Sequence, residues 1–155
     1  MIHRLLPVLA GALLVAGCGA TPPQVGFAAG PAEVVAGPTQ YCDLEFTECT
    51  NDPAAPVELA VPPGTPLRVT VPAEIAQTPW QLVFTYRDAN LAQTAGRSPV
   101  FGAGERSDYI LALPTPTARL LIAQVQQYGP PPQLSAQTGE VEFPIRATWV
   151  LTVTA

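Results

Sequence analysis

Lysine is absent from this chain of 155 residues, and histidine and methionine occur once each, at His3 and Met1. Beyond residue 17 there is therefore no imidazole and no side-chain amine. A Ser-His-Asp or Cys-His nucleophile needs an imidazole base, and Schiff-base chemistry needs a lysine, so that region is closed to both. Basic charge is scarce as well. Seven Lys plus Arg stand against twelve Asp plus Glu, for a formal charge of −5 at pH 7. Such a balance repels phosphate backbones and excludes nucleic acid as a partner. Gly102-Ala103-Gly104 does not join a strand to a helix, so it is no phosphate cradle. The surplus of Ala, Pro, Gly and Val, with Arg replacing Lys, fits a GC-rich genome.

What is present begins with the first eighteen residues. Arg4 supplies a short positive region, Leu5 to Val15 an apolar stretch, and Ala16-Gly17 small residues before Cys18. The apolar stretch carries Pro7 and is well short of the roughly 20 residues that span a bilayer, so the segment reads as an export signal. Val15-Ala16-Gly17-Cys18 has the form of a lipobox, in which the Cys18 thiol accepts lipid and the leader 1–17 is removed. An ordinary signal peptide with an incidental Cys18 is the competing reading. Two acyl chains on Cys18 would hold the protein stably at the outer face of the cell membrane.

Residues 18–155 keep six Arg and twelve acids. Anionic headgroups repel such a domain, which leaves Cys18 as its membrane attachment. With Cys18 modified, Cys42 and Cys49 remain as a pair in an oxidising compartment. A bridge between them closes a loop worth about 2–3 kcal/mol on the chain-entropy argument. A zinc site would need two further soft ligands and a redox pair would need C-x-x-C spacing, so a structural disulfide is expected and no metal or cofactor.

Residues 18–32, rich in Gly, Ala and Pro, read as a flexible spacer, which puts the start of the domain near Glu33. From there period-two alternation dominates. Trp80, Leu82, Phe84 and Tyr86 share one face, as do Ile145, Ala147, Trp149, Leu151 and Val153. Shorter runs at 57–61, 67–71, 107–113 and 118–128 follow the same rule, as does 41–46 beside the disulfide. Pro72 to Gln77 has room for one helical turn. About seven strands between Pro/Gly turns predict an all-β immunoglobulin- or fibronectin-like sandwich over residues 33–155. The inter-sheet cysteine pair of antibody domains is missing.

Candidate chemistry is thin. Glu105 and Asp108 are a carboxylate pair in a Gly-flanked loop, but lone pairs of this kind are commonplace, and the chain is expected not to be an enzyme. Asp43, Glu45, Glu48 and Asp52 lack the Gly and Glu spacing of a calcium loop and read as a charged edge strand. Two long connections, 88–106 and 129–144, are candidate binding loops. In the first, Arg97, Phe101 and Arg106 form a candidate partner-binding patch, an aromatic flanked by guanidinium groups, unless Phe101 folds into the core.

Taken together, the lipobox, Gln40-Tyr41-Cys42-Asp43, Thr47-Glu48-Cys49, Val71-Pro72-Ala73-Glu74-Ile75, Thr78-Pro79-Trp80 and Phe84-Thr85-Tyr86-Arg87-Asp88 resemble the actinobacterial lipoproteins of domain of unknown function 2771. The resemblance covers most of the chain after the leader. It implies an envelope location and supplies no catalytic residue. The expected function is a membrane-anchored, non-enzymatic binding or accessory module for an envelope protein or glycan. The alternative is a carrier of a small lipid or apolar ligand, which needs an apolar cavity of some 300 Å³ within the sandwich. Replacing Cys18 by Ala should move the protein from the membrane fraction into the medium, and fractionation with immunoblotting measures this; an unchanged distribution refutes the anchor.

Overall fold

The computed structural model describes residues 19–130 and 133–155; the leader and Cys18 lie outside the described residues. In chain order the strands are β1 (Val25–Ala29), β2 (Ala32–Ala36), β3 (Gln40–Cys42), β4 (Cys49–Asn51), β5 (Val57–Ala60) and β6 (Leu67–Thr70). One helical turn, α1 (Ala73–Ala76), precedes β7 (Trp80–Arg87), β8 (Gln93–Arg97), β9 (Asp108–Leu111) and β10 (Arg119–Tyr128). Then come β11 (Gln133–Leu134), β12 (Val141–Glu142) and β13 (Ile145–Thr154).

These strands form an all-β sandwich. The smaller sheet has the order β2-β1-β6-β9, and the larger β4-β3-β13-β10-β7-β8. On the outer side of β13, the antiparallel β3 pairs with Ala147 and Thr148, and the parallel β5 with Leu151 to Thr154. Having β6 beside β9 on one sheet and β7, β10 and β13 together on the other reproduces the B–E and C–F–G pairing of immunoglobulin sandwiches. Strands β5, β6, β7, β9, β10 and β13 are six of the expected strands; β8 falls in the connection read as a loop, and three hairpins are added: β1–β2, β3–β4 and β11–β12.

Alternation places the core as expected except at Ile145, which is exposed where the irregularity at Gln127/Tyr128 shifts the register at the start of β13. Leu82, Val125, Trp149 and Leu151 from the large sheet meet Phe27, Leu67 and Val69 from the small one, all essentially without solvent contact. Both tryptophans are fully buried and each finds a carbonyl for its indole N–H, as a buried donor must. Trp80 Nε1 donates to Arg106 O at 3.0 Å, and Trp149 Nε1 donates to Pro23 O at 2.9 Å.

The second of these bonds corrects the spacer. Residues 25–29 are a strand of the small sheet, with Gly26, Phe27 and Ala28 in register with Thr70, Val69 and Arg68. Val25, Phe27 and Ala29 point into the core. The intervening residues are Gly and Ala, so the stretch shows no apolar–polar contrast and only its composition stands out. The 41–46 run is corrected too. Pairing stops at Cys42, and residues 43–48 turn through Phe46 in a left-handed conformation (φ 57°). The two long connections are shorter than they read, since one contains β8 and the other β11 and β12. Phe27→Ala should lower the unfolding free energy by about 3–5 kcal/mol in denaturant titration, whereas a residue in a free spacer would change nothing.

Candidate functional site

The candidate site is an apolar hollow at one end of the sandwich, built from five separate segments. The β3–β4 turn brings Leu44, the residue before β7 is Pro79, and the connection after β8 brings Val100. The last residue of β10 is Tyr128, and the approach to β13 supplies Phe143. Two adjoining depressions of about 370 and 340 Å³ share Pro79, Tyr128 and Phe143. Leu44, Val100 and Phe143 are each more than half exposed, unusual for large apolar side chains grouped at one place. This grouping makes the hollow the candidate site.

The walls are held by short-range bonds. Tyr128 N donates to Pro79 O at 2.9 Å, and the phenol donates to Gln81 Oε1 at 2.8 Å. Partial burial raises the Tyr128 pKa above its ordinary value, with the Arg97 charge opposing. The Phe143 ring stands edge-on to Tyr128, centroids 6.2 Å apart. Gly129 lets the Phe46 ring lie against the backbone here, since a Cβ would come within 2.5 Å of the ring's far edge and push it aside. Arg146 lines the hollow while stacking on Tyr41 at 5.0 Å and donating from Nε to Cys42 O at 3.0 Å. Acidic residues flank the apolar ones in sequence, Asp43 and Glu45 around Leu44 and Glu142 beside Phe143.

The chain reaches the sandwich at this same end. Gly26 pairs with Thr70, the last residue of β6, and β6 leads directly through α1 to Pro79. Gln127, buried at the end of β10, ties α1 down by donating to Glu74 O at 3.3 Å and Thr78 Oγ1 at 3.0 Å.

Cys42 and Cys49 are cross-strand partners and form the expected disulfide. The expected patch of Arg97, Phe101 and Arg106 is not one exposed surface, which corrects that reading. Phe101 is buried against Trp80 (4.7 Å) and Tyr109 (5.4 Å), drawn in by its bridge to Trp80. Arg106 lies 5.5 Å from the Phe101 ring, whereas Arg97 projects from β8 opposite Val83. Glu105 and Asp108 are engaged separately. Glu105 accepts from Gly102 N at 2.7 Å, and Asp108 faces Arg68 at 3.8 Å. Asp43 is not a strand residue but the organiser of its turn, accepting from the Thr47 amide at 2.7 Å and from the Thr47 hydroxyl. Among the described residues no group of three or more His, Cys, Asp or Glu converges on a metal position. None of their helices is long and apolar enough to cross a membrane. The space between the sheets is filled by the tryptophan-centred core, so the roughly 300 Å³ sought there is found outside it, in hollows open to solvent.

The chain is an immunoglobulin-like sandwich with an apolar end. It belongs to the family described as "Protein of unknown function (DUF2771)", whose profile matches residues 19–154, including β1 and the hollow. It is similar to "Uncharacterized protein Rv0875c" of Mycobacterium tuberculosis H37Rv and "Uncharacterized protein Mb0899c" of Mycobacterium bovis, 35% identical to each over 97 residues. The match spans 60% of this chain and 60% of each relative. No solved structure matches.

The Thr47 hydroxyl holds the Asp43 carboxyl below its ordinary value of 3.8, helped by surrounding backbone N–H groups against a little desolvation. A depressed carboxylate contributes order that is full above the unfolded value and lost as pH falls through the folded one. Protection of the Thr47 amide, its exchange rate relative to an unstructured amide at the same pH, should therefore fall only below the ordinary carboxyl value of 3.8. In Thr47→Ala the Asp43 titration, followed by NMR, should move up toward 3.8.

Proposed function

We propose that this chain is a lipid-anchored extracytoplasmic lipoprotein whose sandwich is a non-enzymatic binding module of the cell envelope, with the apolar hollow as its partner surface. The carrying observation is the grouping of Leu44, Val100 and Phe143 around one hollow, which other exposed large apolar side chains such as Val35, Leu91 and Ile110 do not line. Three further features support the reading. The sequence at residues 1–18 has the form of a lipoprotein leader, the Cys42–Cys49 bridge suits an oxidising compartment, and imidazole and lysine are missing beyond residue 17. The hollow suits an envelope protein that offers an apolar side chain, since such pockets with a ring of polar neighbours make binding hot spots.

A photo-crosslinking residue at Val100 or Phe143 should capture one recurrent envelope protein in living cells. The same residue at Ile110, half-exposed on β9 of the small sheet, should not. Identical adducts from both sites, or none from the hollow, reject the proposal.

A further inference from the structure

At the opposite end of β7 the large sheet carries an arrangement that the hollow does not explain. Arg87 on β7 and Arg119 on β10 are directly opposed in the antiparallel register. Like charges at such a position, with Cβ atoms about 5 Å apart, are unfavourable. Among the described residues neither makes an ion pair, the one ion pair being Arg68 with Asp108. The nearest acid in sequence, Asp88, is committed elsewhere, its Oδ1 accepting from Asn90 N at 2.8 Å and Ala92 N at 2.9 Å. Both arginines are exposed, in a protein of net charge −5.

They also share a concavity. Arg87 and Arg119 border a depression of about 450 Å³ whose wall includes Val61, Pro62, Leu121 and Val153. Ala155 lines it too, and among the described residues no carboxylate comes within ion-pair distance of either guanidinium. Two guanidiniums match the oxygens of one phosphate or carboxylate in a bidentate fashion, and the apolar wall beside them suits a hydrocarbon tail.

We infer that Arg87 and Arg119 form a binding site for an anionic amphiphile, a phosphate or carboxylate head on an aliphatic chain. The head group lies between the two arginines and the chain runs along Leu121 and Val153. The bound anion neutralises the cross-strand repulsion, so ligand affinity and the stability of the free protein oppose each other at these two residues.

Calorimetry on the full chain bearing Cys18→Ala, without detergent, tests this with dodecyl phosphate, dodecanoate, dodecyl maltoside and inorganic phosphate. Dodecyl phosphate, dodecanoate or both should bind at least ten-fold more tightly than the maltoside or inorganic phosphate, and the tighter of the two identifies the head group. Arg87→Gln and Arg119→Gln should each weaken that binding ten-fold or more, and Phe143→Ser at the other end should leave it unchanged. Without ligand, Arg119→Gln should raise the unfolding midpoint by roughly 1–5 °C. Undiminished affinity in the double arginine variant, equal binding of the maltoside, or no binding of either anion overturns the site. A lower midpoint in Arg119→Gln also overturns it, because the pair would then be satisfied within the chain.

Discussion

Two buried indole N–H groups constrain most of this molecule. A tryptophan can sit at the centre of a sandwich only if its one polar atom is satisfied, and an orphaned donor there costs about 1–3 kcal/mol. Trp80 reaches the carbonyl of Arg106 and Trp149 that of Pro23, both from segments outside the strands. The first bond pins the connection between β8 and β9, so that Phe101 closes over Trp80 and leaves Val100, one residue earlier, facing outward. The second pins the chain just before β1 against the middle of β13. Core satisfaction and the shape of the apolar end are thus consequences of the same two contacts.

The framework was legible where burial alternates with polarity. In β7 and β13, Trp, Leu and Phe alternate with Gln, Thr and Arg, and the paired register follows that alternation. β1 was illegible because its outward residues are Gly26 and Ala28, which carry no polarity to contrast with Val25 and Phe27. The β3–β4 turn misled for the opposite reason. Tyr41 to Phe46 alternates well, but Asp43 bonds Thr47 four residues on and the disulfide closes the loop, so local hydrogen bonding overrode the pattern. Phe101 is the same lesson in reverse, a loop residue made core by its bridge to a strand.

The hollow had no sequence signature. Leu44, Pro79, Val100, Tyr128 and Phe143 come from five segments, and only the order of β3, β7, β10 and β13 brings them to one end. The nearest signal was Val141-Glu142-Phe143, two large apolar residues in a Pro/Gly-rich connection that should otherwise be polar. The arginine pair was equally hidden, since Arg87 and Arg119 are unremarkable until the register sets them opposite each other. Composition located the chemistry that is missing; pairing located the surfaces that are present.

Incorporating β1 into the sheet also changes what a lipid on Cys18 would do. A free spacer of fourteen residues would let the domain stand well away from a bilayer in any orientation. With Pro23 fixed to Trp149, only four residues lie between Cys18 and the folded structure, a reach of at most about 18 Å over the five steps. The anchor would then hold the hollow close to the headgroups. The acids flanking Leu44 and Phe143 oppose its lying flat on an anionic surface. Arg87 lies at the far end of β7, about 25 Å beyond Pro79, and would then be turned away from the membrane. The two ends would thus meet different surroundings: an apolar, acid-flanked end able to reach the rim of a membrane protein, and a basic end open to the space beyond. Under that geometry the short tether chooses the partner as much as the hollow does, because it limits what the apolar end can touch.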